Sequence, residues 1–175
     1  MAMAGADHID EIVAQWRRER PELDAGPLAV FGRLFRAATL ADSLLGEQLT
    51  GYGLQPGWFD LLAALRRAGK PYELTPGQLM RASMLSSGGT TKRLDRLAEA
   101  GLVERHPDPS DRRGVLVRLT PRGIEAIDNA IETHLGNEER LLRAFSPQDR
   151  RMLAQLLRRL LAVLEASPDA TAGPS

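Results

Sequence analysis

A mainly α-helical chain with one small β-hairpin wing, a winged helix-turn-helix joined to a helical dimerisation region, is the fold class predicted by three features of the 175-residue sequence. The stretch 74–123 reads as helix, turn, helix and charged hairpin in unbroken succession. Amphipathic helical periods precede and follow it. The third feature is charge: the whole chain is formally neutral, yet Thr75 to Arg122 holds nine Lys/Arg against five Asp/Glu, leaving fourteen against eighteen elsewhere. Basic charge concentrated on one motif in a neutral chain is the electrostatic footprint of a nucleic-acid binder. At this length, with 43% hydrophobic residues, the chain can bury one sizeable core, so a single continuous unit is expected over 1–175.

Taken in order, 1–6 reads as a loose tail and Asp7 as the cap of a helix running to Arg20. Ile9, Ile12, Val13 and Trp16 fall at i, i+3, i+4 and i+7, one apolar stripe, and Pro21 ends the run. A second helix spans 28–50, with Phe31, Leu34, Phe35, Ala38, Leu45 and Leu49 in near-helical period; the turn 51–53 closes it. Together 7–53 is expected to supply dimerisation helices. Pro56 opens a third helix to about Ala68, with Trp58, Leu61, Leu62 and Leu65 on its core face. Asp60 projects roughly opposite that face, as a solvated charge or as a group lining a pocket. Beyond the motif, Thr120 and Pro121 start a helix with Ile124, Ile127, Ile131 and Leu135 in stripe, which Gly136 interrupts or bends. Ser146 and Pro147 open a last helix with a broad leucine face from Met152 to Leu164. These C-terminal helices, 124–166, need a partner, so a homodimer without a stable folded monomer is expected. The end, 167–175, is Pro, Gly, Ala and Ser with one acid, and reads as a disordered tail.

Within the DNA-binding region, 54–123, Thr75, Pro76 and Gln78 make a capping box with proline at the first helical position. A second cap at Ser86 or Ser87 opens a helix with Leu94, Leu97 and Ala98 on one face and a stop at Gly101. At 100° per residue, Lys92 and Arg96 point away from that face. With Ser87 and Thr91 near the helix start, they suit a major groove, the cations meeting phosphates or guanine edges. Two short strands follow, 102–105 and 115–119, around a turn-rich tip, 106–114. Arg112 and Arg113 on such a tip can enter the adjacent minor groove.

Several classes are excluded. No cysteine is present, which removes disulfides, zinc ribbons and thiol-based sensing. His8, His106 and His134 are isolated in sequence, so no metal site is predicted, and no cofactor. Neither GxxxxGK[ST] nor GxGxxG occurs, and no nucleophile, base and orienting group recur at workable spacing, which argues against an enzyme. No apolar run approaches the roughly 20 residues that span a bilayer, and no secretory pattern opens the chain, so no membrane partner and a cytoplasmic location are expected.

DPSDRR at 108–113 followed by VRLTPRG at 117–123 resembles the MarR family of bacterial winged-helix regulators, and the resemblance covers nearly the whole chain. It implies a symmetric dimer on a palindromic, inverted-repeat operator in double-stranded DNA. Repression relieved by a small ligand, usually an aromatic anion, is the family's habit. A finer resemblance, AQWRRERP around Trp16, WFDLL around Asp60, TKRLDRL around Arg93 and LVER around Arg105, points to the urate-responsive branch. It implies that Trp16, Asp60, Arg93 and Arg105 form the effector site. Two guanidinium forks suit the oxygens of a planar monoanion and an indole suits its ring. Xanthine, a citrate-like polycarboxylate or an aromatic acid would suit two arginines too, and a ligand-independent DNA binder is the other alternative.

Overall fold

The computed structural model describes residues 5–55, 57–84 and 89–167, without the side chain of Arg112. Seven helices and one three-stranded antiparallel sheet make up the described residues: α1 His8–Glu19, α2 Leu28–Leu49, α3 Trp58–Arg67, β1 Glu73–Leu74, α4 Pro76–Ala82, α5 Thr90–Glu99, β2 Val103–Asp108, β3 Asp111–Leu119, α6 Pro121–Leu141 and α7 Pro147–Glu165. Helix α2 ends in a single 3-10 turn, Thr50–Tyr52. The chain divides into two compact units, Met1–Ile131 and Glu132–Ser175.

The core of the first unit is aliphatic. Leu61, Leu62 and Leu65 of α3, Leu79 of α4, Leu97 of α5, Val117 of β3 and Ile127 of α6 are all fully buried. A buried leucine is worth roughly 1.5–3 kcal/mol, and for α4, only seven residues long, that anchoring outweighs the marginal stability of so short a helix by itself. Helix α3 differs from expectation. Every residue from Trp58 to Leu65 is buried, Asp60 included, so α3 has no solvated face over that span. Its N-cap is Gly57 in the left-handed region at φ 80°; Pro56, expected to open it, lies outside the described residues.

In the sheet the order is β1-β3-β2. Glu73 faces Arg118 and Leu74 faces Val117, a short third strand that the sequence pattern did not announce. The pairing of β2 with β3 runs from Val103 opposite Leu119 to Pro107 opposite Val115, then shifts register so that Asp108 faces Asp111. The hairpin is therefore longer, and its turn shorter, than the expected 106–114 tip: only Pro109 and Ser110 lie between the strands. Arg112 and Arg113 stand on β3 and not in a loop. Arg66 of α3 donates to both carboxylate oxygens of Asp128 on α6, at 2.7 and 3.1 Å, with its guanidinium 4.7 Å from the Tyr72 ring centroid, which ties three segments around this core.

A smaller cluster, Ile9, Val13 and Ala25 with Ile12 and Ala29 against it, seats α1 on α2. Asp7 caps α1 as expected, accepting from the Ile9 and Asp10 amides, and it also receives Arg33 of α2. In the second unit Arg150 of α7 reaches back to Glu139 at 2.7 Å and to the Leu142 and Phe145 carbonyls, closing the turn between α6 and α7. Ser146 and Asp149 complete the capping box of α7. Of the two expectations for Gly136, interruption or bend, interruption is excluded, since α6 runs continuously through it; a glycine costs a helix only about 1 kcal/mol relative to alanine. No residue of α7 is buried, and Met152, Leu153, Leu156, Leu157, Leu161 and Leu164 are exposed on it.

Candidate nucleic-acid interface and effector residues

The recognition unit is built from both ends of α4 and α5. At the start of α4, Thr75 and Gln78 make the reciprocal capping bonds, 2.9 and 3.2 Å. At its end, Arg67 of α3 donates to the Ala82 carbonyl at 2.9 Å. Helix α5 begins at Thr90, later than a cap at Ser86 or Ser87 requires: its N-cap is Gly89, at φ 81°, with no side-chain cap. Ser86 and Ser87 themselves, including the expected DNA contact at Ser87, lie outside the described residues. Thr90, Leu94 and Leu97 are buried beneath α5, while Thr91, Lys92 and Arg96 are exposed on the other side. Lys92 and Arg96 pair with no carboxylate among the described residues, so the face they make is cationic and available.

The other end of α5 is fixed through its backbone. Gly101, at φ 67°, lets the chain turn while its amide and that of Leu102 reach back to the Ala98 and Leu97 carbonyls. Thr120 then does two things at once. Its hydroxyl donates to the Gly101 carbonyl at 2.7 Å and accepts the Gly123 amide at 3.0 Å, so one side chain joins the end of α5 to the start of α6. Arg122 adds a bond to the Ala100 carbonyl at 3.1 Å. A Cβ at Gly123 would stand 2.0 Å from the Leu102 carbonyl oxygen, so glycine is the only residue that fits this contact.

In the wing, Arg118 of β3 is held by Glu73 of β1 at 2.7 Å. At the turn, the Ser110 hydroxyl and then its amide donate to Asp108 and hold that carboxyl below its usual 3.8, hence charged. The Asp111 side chain accepts the Arg113 amide at 2.9 Å. Arg113 itself is exposed at the start of β3. These turn bonds set the wing tip without using the guanidinium of Arg113.

The four expected effector residues occupy four different settings, on α1, α3, α5 and β2. Asp60 is 8% exposed; its Oδ2 accepts the Met84 amide at 2.6 Å, and its Oδ1 is buried without a hydrogen-bond partner among the described residues. A buried carboxylate with one oxygen unmatched is costly, so this group is not the solvated surface charge that helical position alone allowed. Arg93 lies over the start of its own helix, its Nη1 3.5 Å from where a Cβ on Gly89 would stand. The Arg105 guanidinium donates to Asp95 of α5 at 2.6 Å, a partner that sequence reading missed although the i, i+10 separation across the Gly101 turn brings the two elements side by side. Arg93 and Asp95 leave α5 roughly 160° apart in projection. Trp16 is 48% exposed on α1, and no hydrogen bond links its indole to the other three among the described residues. Among the described residues there is no cluster of three or more His, Asp or Glu able to hold a metal, and no helix long and apolar enough to cross a membrane.

The sequence signature of the MarR family matches residues 52–114, which is α3 through the wing turn. The HTH-type transcriptional regulator PecS of Dickeya dadantii is 41% identical over 158 residues, covering 90% of this chain and 95% of that protein. A crystal structure of a mutant MarR from Escherichia coli complexed with operator DNA matches at TM-score 0.66 and 29% identity, over 83% of this chain and 97% of that one. Sco3205, a MarR family regulator from Streptomyces coelicolor in complex with DNA, shares the fold at TM-score 0.75 and 24% identity, over 85% and 93% of the two chains. With its three-stranded wing, its cationic α5 and this degree of identity along almost the full length of PecS, the chain belongs to the MarR family, as a PecS-like DNA-binding transcriptional regulator and not an enzyme.

Proposed function

We propose that this regulator works as a homodimer on an inverted-repeat operator, acts as a repressor, and is released by a small planar anion, urate being the favoured candidate, through Trp16, Asp60, Arg93 and Arg105. The observation that carries the reading is Asp60. Its carboxylate accepts the Met84 amide just past the end of α4 and has one buried oxygen unmatched among the described residues. An anion bound nearby repels that carboxylate. Breaking its bond to Met84 releases the chain just past the end of α4, so a local charge event biases the helix-turn-helix that reads DNA. The ligand must prefer the released conformation, by about 1.4 kcal/mol for each tenfold loss of operator affinity. Dimer formation is supported by the uncovered leucine face of α7, and the two α5 helices would then meet half-sites about one helical turn apart.

The test is operator binding by gel shift with and without millimolar urate, for wild type and for Trp16→Phe, Asp60→Asn, Arg93→Ala and Arg105→Ala. Asparagine keeps an oxygen for the Met84 amide but carries no charge, so Asp60→Asn is expected to bind operator and lose the urate response. A wild type insensitive to urate removes that ligand, and xanthine, citrate and an aromatic carboxylate follow in the same assay. A wild type that ignores all four is a ligand-independent DNA binder as far as these anions go, and variants that respond as wild type does remove the four-residue site.

A further inference from the structure

We propose that Asp95 and Arg105 form a latch that sets the roll of the recognition helix against the wing, so that Arg105 serves DNA binding by holding Asp95 and not by touching phosphate. The direction of Arg105 is the first argument. On β2 the residues alternate: Val103 is buried beneath the sheet, Glu104 is exposed and faces Arg118 across the ladder, and Arg105 returns to the face of Val103, opposite the fully buried Val117. Arg105 therefore leaves the strand on the side of α5, where its Nη2 meets Asp95 Oδ1 at 2.6 Å. A phosphate-seeking arginine on this hairpin belongs on the outer face or at the tip, as Arg113 is.

The second argument is the position of Asp95. It follows Lys92 by three residues and precedes Arg96 by one, on the flank of the cationic face. An unpaired carboxylate there would repel the DNA backbone; paired with Arg105 its charge is offset. The third argument is mechanical. Helix α5 is ten residues long, has no side-chain cap at its start, and is fixed at its end by Gly101, Thr120 and Arg122. Those end contacts set where the helix stops but grip it close to its axis. A bond from the flank acts at a longer radius and resists rotation about that axis, and a modest roll redirects both Lys92 and Arg96. Where the effector reading above holds, the latch gains a second consequence that rests on it: an anion that takes Arg105 must displace Asp95, so ligand and Asp95 compete for one guanidinium and the ligand opens the latch.

The experiment is a double-mutant cycle on the full chain without ligand, using Asp95→Asn, Arg105→Gln and the pair, with operator affinity by fluorescence anisotropy over a salt series. Both side chains are roughly half exposed, which keeps the pair's worth small. Each single variant is expected to weaken the operator complex about two- to fivefold, the range an exposed pair of up to about 1 kcal/mol supports, with the double variant no weaker than either. Arg105→Gln should leave the slope of log affinity against log salt unchanged, and Asp95→Glu should keep wild-type affinity. Losses that multiply in the double variant, or a slope that falls by about one phosphate contact in Arg105→Gln, overturn the latch. Adding urate to the same four proteins separates the two ideas: a wild type that ignores urate removes the effector reading, while the latch still stands or falls on the ligand-free cycle.

Discussion

Gly123 is held in a space that no side chain can share, since a Cβ would meet the Leu102 carbonyl at 2.0 Å and backbone would have to move. Gly123→Ala is therefore expected to cost about 3 kcal/mol, the upper end of overpacking penalties, seen as a lower midpoint in urea with unchanged slope. Gly136→Ala on the same helix meets nothing within 4 Å and should stabilise slightly, by up to about 1 kcal/mol. If the two substitutions behave alike, the close approach at 123 is not what fixes glycine there. Asp60 teaches the complementary lesson. Helical angle alone put it opposite Leu61 and Leu62, which is correct as geometry; what the angle cannot tell is that other elements also cover that side, so an outward position became a buried one.

The elements were legible wherever a cap and a period agreed. Asp7, Thr75 and Ser146 place the starts of α1, α4 and α7 to within about a residue. Errors fell where one signal stood alone. A serine before α5 suggested a cap, but the helix starts after a left-handed glycine; turn-forming residues at 106–114 suggested a loop, but backbone pairing continues through Pro107 and resumes at Asp111, because proline and aspartate are tolerated near the end of a hairpin. Strand β1, two residues long, carries too little pattern to be seen at all. For DNA binding, Lys92→Ala or Arg96→Ala should cost roughly 1–3 kcal/mol if the lost contact is to a base edge, while Arg113→Ala should mainly lower the salt dependence. Anisotropy on matched and scrambled duplexes distinguishes these: a base contact changes the ratio between the two sequences, a phosphate contact does not.

At the scale of the whole molecule, the leucine face of α7 is the feature that most demands a partner. Leu153, Leu156, Leu157, Leu161 and Leu164 are exposed, and a contiguous apolar face of that kind is the expected interface of the proposed homodimer. Leu153 and Leu157 are one helical turn apart. Replacing both with Glu is expected to give a monomer by sedimentation and to weaken operator binding by about 100-fold or more, because the second half-site then loses the benefit of tethering. A double variant that remains dimeric would place the interface elsewhere. The leucine face was legible in the sequence because its helical period runs from Met152 to Leu164; the setting of Trp16, Asp60, Arg93 and Arg105 was not, because they are far apart in sequence and sit on separate elements.

The fastening of α5 has a bearing on how readily such a regulator changes targets. Its end is held through the carbonyls of Ala100 and Gly101, and its underside by Leu94 and Leu97. None of these attachments uses the side chains of Thr91, Lys92, Arg96 or Glu99. Reading and fastening are thus written in different letters of the same ten-residue word. Substitutions confined to those four positions are therefore expected to redirect the protein to a new operator while its melting temperature stays as it was, so one scaffold can be inherited by many promoters.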